Sequence, residues 1–136
     1  MAILTIVRGC SGSGKSTLVK RIKTIVQDHF EADMYFVDAN GVYNFDPTKL
    51  GAAHGWCQAE TANSLSYNND VIVSNTFTTI KEMKPYFEMA KKYNAQVQVI
   101  TVESTFKNVH NVPEEVLAKQ KARFATDLSS LWEILK

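Results

Sequence analysis

Cysteine is scarce in this chain: there are two in 136 residues, Cys10 and Cys57. Two thiols so placed are too few for a disulfide framework, and they fit a reducing compartment. An excess of one charge is lacking as well. Fifteen Lys and Arg stand against 14 Asp and Glu, for a formal net charge of +1. That balance excludes the basic footprint needed to wrap duplex nucleic acid, though not a grip on one or two phosphates at a strand end. No apolar run approaches the ~18 residues of a membrane span. The opening Met1-Ala2-Ile3-Leu4 lacks the basic region and cleavage site of a secretory signal, so the expected location is the cytoplasm. Repeats, low-complexity tracts and linkers are missing too. Residues 1–136 are read as one domain, large enough to bury a core.

What is present organises around Gly9-Cys10-Ser11-Gly12-Ser13-Gly14-Lys15-Ser16-Thr17. An apolar run over 3–7 precedes it and a helical pattern follows from Lys15. That is the strand–loop–helix context of G-x-x-x-x-G-K-[ST], the phosphate-binding loop. Gly9, Gly12 and Gly14 let successive N–H groups curl round a phosphate, and the helix start adds its positive end. Lys15 is expected to reach the outer phosphates as a point charge, and the Ser16 hydroxyl to ligate Mg²⁺. The cofactors expected are therefore ATP and Mg²⁺.

Downstream, strands and helices alternate. Leu18, Val19, Ile22, Ile25 and Val26 repeat at three and four, predicting a helix over 15–27. Residues 29–32 hold a brief second strand that ends at Asp33, and 34–45 form a loop excursion turning at Asp38-Ala39-Asn40-Gly41. Asp46-Pro47 starts a helix whose buried side is Leu50, Ala53, Cys57, Ala62 and Leu65, stopped by Asn68-Asn69-Asp70. Residues 71–73 form a third strand ending at Ser74-Asn75-Thr76. Thr79 and Glu82 make a capping box for a helix to about Tyr93, with Pro85 restricting its early turns. Residues 96–102 form a fourth strand, and a polar connection over 104–112 follows. Pro113-Glu114-Glu115 begins a helix through Ala125, and Asp127 caps a last short one with Leu128, Leu131, Trp132 and Leu135 on one face. Core packing of that face is favoured over self-association. Such alternation predicts an α/β domain with a parallel sheet covered on both faces, its ligands bound at the carboxyl ends of the strands. Three such ends converge: the phosphate loop, Asp33, and Ser74-Asn75-Thr76.

A phosphate loop does not by itself separate a kinase from an ATPase or a GTPase. No guanine-reading Asn-Lys-x-Asp follows any strand, which sets GTP switches aside. Asp33, at the end of the second strand and opposite the loop, either accepts a proton from a hydroxyl beside the γ-phosphate or is a solvated loop carboxylate or helix cap, and its strand-end position favours the first.

Several further stretches occur in a telling order. Glu31-Ala32-Asp33-Met34-Tyr35-Phe36 follows the phosphate loop, then Gly41-Val42-Tyr43-Asn44-Phe45-Asp46-Pro47 and Leu50-Gly51-Ala52-Ala53-His54-Gly55-Trp56-Cys57-Gln58. Val71-Ile72-Val73-Ser74-Asn75-Thr76 and Lys107-Asn108-Val109-His110-Asn111-Val112-Pro113 complete the series. Together they resemble the P-loop kinases that include phage polynucleotide 5′-hydroxyl kinases and related polynucleotide-kinase-like domains of the zeta-toxin and nucleotide-kinase type. The resemblance implies a three-layer P-loop sandwich of about four parallel strands with a short lid. It implies Asp33 as general base, and Asn75 and Thr76 as holders of an acceptor nucleotide. It also implies a lid over 104–112, carrying Lys107, Asn108 and His110, from which the basic Lys107 touches the transferring group; His110 either contacts phosphate when protonated or stabilises local backbone. The implied reaction is transfer of the γ-phosphate of ATP to a nucleic-acid 5′-hydroxyl end or a nucleotide-like acceptor, in a host cytoplasm if the chain is phage-encoded. With no appended phosphatase or ligase, end healing would need a separate partner, and the oligomeric state is left open.

Two departures qualify that implication. Lys107 stands where the lid carries arginine, and lysine cannot form a planar fork on phosphoryl oxygens. Arg123 either compensates or is a surface helix residue. Met34-Tyr35-Phe36-Val37 replaces the arginine that follows the base in phage enzymes, which opens a small metabolite or a hydroxylated base in DNA as alternative acceptors. A nucleotide-binding module with faded catalysis is the non-enzyme alternative. Tyr35, Phe36, Tyr43 and Phe45 either stack an acceptor base or pin the loop as a satellite core. His54 and Cys57 have metal-like spacing, but packing accounts for them better. Lys81, Lys84, Lys91 and Lys92 form a solvated face.

Overall fold

The computed structural model describes residues 1–10, 13–24, 27–102, 115–116 and 124–136. Four strands form one sheet: β1 (Ile3–Arg8), β2 (Asp28–Phe30), β3 (Val71–Asn75) and β4 (Gln96–Thr101). Their order is β2-β3-β1-β4, and all three pairings are parallel. Parallel neighbours need crossovers, which helices supply. They are α1 (Lys15–Ile22), α2 (Leu50–Ser66) and α3 (Ile80–Lys92), with a short α4 (Ser129–Ile134) near the end.

The apolar runs of β1 and β3 are buried on both faces, as a parallel sheet between helices requires. On one face Leu4, Ile6, Val71 and Val73 join Ala53, Cys57 and Leu65 of α2, Met83, Phe87 and Ala90 of α3, and Leu131 of α4. On the other, Val7 and Ile72 meet Val19 of α1. The three-layer α/β P-loop sandwich expected from the sequence is the fold. Trp132 of α4 sets its ring edge-on to Phe87 at 5.2 Å, and Leu128 and Leu135 pack on the main core. That face serves the core.

Local differences from the expected elements each have a cause. Helix α1 stops at Ile22, where Lys23 turns extended, because the chain must cross to begin β2 at Asp28, whose N–H bonds Asp70 O. Strand β2 ends at Phe30, two residues earlier than expected. The side chain of Asn75 takes the Ala32 N–H at 2.8 Å, which diverts the backbone into a 3-10 helix, Ala32–Phe36. Asp33 therefore sits on that 3-10 turn rather than at the strand end itself. Asp46 caps a second 3-10 turn, Pro47–Lys49, before α2 begins. This added turn sets the phase of α2, so Leu50 is exposed and Thr61 is buried beside a half-buried Ala62. Thr79 caps α3 by accepting from Glu82 N, but the Glu82 carboxylate reaches back to Thr78 N rather than Thr79 N. Pro85 lies inside α3. Glu115 and Val116 are helical as expected, whereas Phe124 and Ala125 are not. Ala125 N instead bonds Thr78 O at 2.6 Å. The connection 104–112 lies outside the described residues. Among the described residues no helix is long and apolar enough to cross a membrane.

Candidate active site

At the carboxyl end of β1 the chain turns through Gly9 and Cys10 into α1. Gly9 has no room for a side chain: a Cβ there would stand 2.5 Å from Ser13 Oγ and 2.7 Å from Val102 O. Gly14, at the helix start, has φ 98°, the left-handed region that glycine adopts without a clash. Lys15 folds back across the loop and donates from Nζ to Gly9 O at 2.7 Å and Cys10 O at 3.0 Å. Burial lowers its pKa, and the carboxylate of Glu31, then Cys10 and Asp33, pull it back up. A desolvated ammonium held above a tight backbone turn is the right donor for an anionic ligand of high charge density. Ser13 Oγ is buried with no hydrogen-bond partner among the described residues. A polar atom so placed inside a phosphate loop fits a phosphate oxygen as partner. Ser16 and Thr17 open α1 with exposed side chains, Ser16 free to face a metal ion on the phosphates. The loop residues described here therefore suit a nucleoside triphosphate with Mg²⁺; Ser11 and Gly12 lie outside the described residues.

The second and third strand ends are tied to this loop. Gly9 N bonds Thr76 O at 3.2 Å, and Asn75 holds the Ala32 amide one residue before Asp33. Asn75 Nδ2 also points at Cys57 Sγ, 3.7 Å away. The structure thus brings Lys15, Asp33, Asn75 and Thr76 together. Glu31 joins them, a carboxylate that sequence reasoning passed over although it lies two residues from Asp33. Its oxygen is 3.3 Å from His29 Nε2.

Beyond Asp33 the loop excursion folds on itself. Asp38 accepts from Asn40 N and Val42 N, and an antiparallel bridge joins Val37 to Tyr43. Phe36 is buried, with Tyr35, Tyr43 and Phe45 round it at centroid distances of 5.6, 6.3 and 5.1 Å. The cluster is therefore a satellite core about Phe36, while half-exposed Tyr35, Tyr43 and Phe45 still present ring surface outward. Tyr43 OH donates to Asp33 Oδ1 at 3.4 Å; burial, with Asp33 second, raises the phenol's pKa. The sequence puts Tyr43 in the aromatic cluster beside Asp33; the bond between them is the structure's addition, and no spacing rule would have found it across the turn.

His54 is exposed on α2 and Cys57 is buried, and among the described residues no group of three or more metal-ligating side chains occurs. Lys107, Asn108, His110 and Arg123 lie outside the described residues.

Fold and loop together define a P-loop nucleotide-binding domain of kinase-like build. Residues 4–126 match the AAA domain family AAA_33, and the chain belongs to that family. It is 30% identical to human NEDD4-binding protein 2, over 86% of this chain but 7% of that protein's length. It is also 30% identical to uncharacterized protein PM0531 of Pasteurella multocida, over 86% of this chain and 73% of that one. Among solved structures, a chain of the Pnkp1/Rnl/Hen1 RNA repair complex superposes with a TM-score of 0.60. That likeness spans 98% of this chain and 43% of the other at 18% identity, and so it speaks for the fold alone.

Proposed function

We propose that this domain is an ATP-dependent phosphotransferase, moving the γ-phosphate to a hydroxyl of a nucleic acid or nucleotide-like acceptor, with a polynucleotide 5′-hydroxyl end as the leading candidate. The observation that carries the reading is the convergence at the strand ends: Asn75 holds the turn that bears Asp33 through Ala32 N, and Thr76 O, one residue on, accepts from Gly9 N of the phosphate loop. A carboxylate on that turn, beside the phosphate loop, is where a base for an acceptor hydroxyl is needed.

In this reading, residues 9–17 hold the triphosphate through backbone N–H groups and Lys15. Mg²⁺, when bound with the Ser16 hydroxyl, neutralises phosphate charge. Asp33 orients the acceptor hydroxyl and takes its proton. Asn75 sets the Asp33 turn, while Asn75 and Thr76 border the acceptor, with Tyr35 beside them. Lys107, Asn108 and His110, on the segment over 104–112, supply the remaining contacts to the phosphates. A separate ligase or phosphatase would complete end healing, and the expected location is the cytoplasm.

A second reading, a compact acceptor such as a small metabolite or a hydroxylated base, draws on the rim beyond Asp33. There Asp38 and Asp46 outnumber Lys49 among aromatic rings, a surface poorly matched to an extended polyanion. The test is transfer of labelled γ-phosphate from ATP/Mg²⁺ to 5′-hydroxyl DNA and RNA oligonucleotides, with Asp33→Ala and Lys15→Ala beside wild type. Label on oligonucleotide ends that vanishes in both variants is the expected result. ATP binding without transfer to any oligonucleotide would turn the search to compact acceptors, and absent ATP binding would defeat the enzyme reading.

A further inference from the structure

We propose that Arg8 is a positioning residue for the transfer reaction: clamped on the Phe77 carbonyl, it fixes the end of β3, and with it Asn75 and Thr76, against the phosphate loop. The proposal rests on the phosphotransferase reading above. Arg8 is the last residue of β1 and is 1% exposed, the largest fully buried side chain described. Its Nε and Nη2 both donate to Phe77 O, at 3.1 and 2.9 Å. On the other side of the same peptide, Thr78 N donates to Glu82 Oε2 at 2.7 Å. The 77–78 peptide thus lies between a buried cation and a carboxylate whose charge acts back on that cation.

The peptide so held is unusual. Phe77 has φ 47°, a left-handed backbone that a bulky side chain adopts only when its surroundings impose it. Adjacent to the clamp, Gly9 N bonds Thr76 O. Residues 8 and 9 therefore grip residues 77 and 76 in turn, joining the start of the phosphate loop to the acceptor side of the site. The backbone and ring contacts of Arg8 extend the same junction. Val102 N bonds Arg8 O at 2.7 Å, and the guanidinium lies 4.0 Å from the Phe124 ring centroid. The described residues flanking 103–123 on both sides thus meet Arg8.

A buried cation is a poor choice for filling space, since an apolar side chain of similar volume needs no desolvation. What the guanidinium adds is direction: two charge-assisted bonds to one carbonyl set the orientation of that peptide. Lysine at this position would keep the charge and lose the fork.

Arg8→Lys tests this by three readouts. Expected are a folded protein, an affinity for a fluorescent ATP analogue within about twofold of wild type, and a KM for the oligonucleotide acceptor raised about fivefold or more. Amide exchange followed by NMR should accelerate about tenfold at Thr78 while Ile72, paired on both sides within the sheet, keeps its protection. Should Arg8→Lys fail to fold, Glu82→Gln, which keeps an acceptor for Thr78 N but removes the charge, should show the same acceptor-specific loss in milder form. Wild-type acceptor KM with unchanged Thr78 exchange would overturn the proposal, as would ATP affinity falling in step with transfer. If the wild type transfers phosphate to no hydroxyl, the phosphotransferase reading fails by itself, and Thr78 exchange still decides whether the clamp exists.

Discussion

The side-chain carbonyl of Asn75 accepts the backbone N–H of Ala32 at 2.8 Å, across 43 residues of sequence. A polar side chain at the end of one strand thereby ends its neighbour and sets the turn that carries Asp33. Asn75→Ala leaves the Ala32 N–H unpaired in a buried position and should cost ~1–3 kcal/mol. Thermal unfolding should show a Tm lower by roughly 3–10 °C. Asn75→Asp keeps the acceptor and should lose less. An unaltered Tm in Asn75→Ala would mean that water or a shifted backbone satisfies the amide.

Tyr43→Phe separates the hydroxyl from the ring. The phenol bond to Asp33 is long and half exposed, whereas the ring packs on Phe36 and stacks with Phe45. Phosphate transfer should fall about threefold, equivalent to ~0.7 kcal/mol, with Tm and ATP affinity unchanged. Equal rates in the variant and wild type would remove Tyr43 from the positioning of Asp33.

Two glycines of the phosphate loop should fail for different reasons. Gly9→Ala drives a methyl into Ser13 Oγ and Val102 O; Gly14→Ala forces a side chain into φ 98°. The second carries only a backbone cost of ~1–2 kcal/mol. Calorimetric titration with ATP should therefore find no binding in Gly9→Ala and weakened binding in Gly14→Ala. Comparable affinity for both would mean that the loop relaxes round the added methyl.

The buried ammonium of Lys15 makes a prediction with a sign. Its folded pKa lies below the ordinary 10.5, mainly through burial. Between those two values the unfolded chain binds more protons than the folded one, so this group makes stability rise with pH. Urea unfolding from pH 7.5 to 10 should show wild type gaining on Lys15→Met as pH rises. A constant difference would place the ammonium in water, and Lys15→Met should in any case lose ATP binding.

Much of this was legible in the sequence because the determinants are local. The apolar runs of β1 and β3 and the Thr79 cap each act within a few residues, and they read correctly. One miss depends on a contact between distant segments and another on a short local turn. Nothing near Asp33 announces that Asn75 will convert its strand into a 3-10 turn, and Leu50 faces solvent only because a short turn precedes its helix. Arg8 left a local trace, a cation closing an apolar run. Its meaning came from Phe77, 69 residues away.

The strand order also bears on how the domain is made. β1 carries the phosphate loop, yet its two hydrogen-bonding neighbours are β3 and β4, separated from it by 67 and 93 residues. During synthesis the loop emerges before either partner and waits for both before its strand is flanked. Parallel pairings at such separations carry a large loop-closure cost before any reward, so they form late and slowly. Ribosome-bound chains ending before residue 96 should thus hold an unfinished β1, competent for a chaperone and not for a nucleotide.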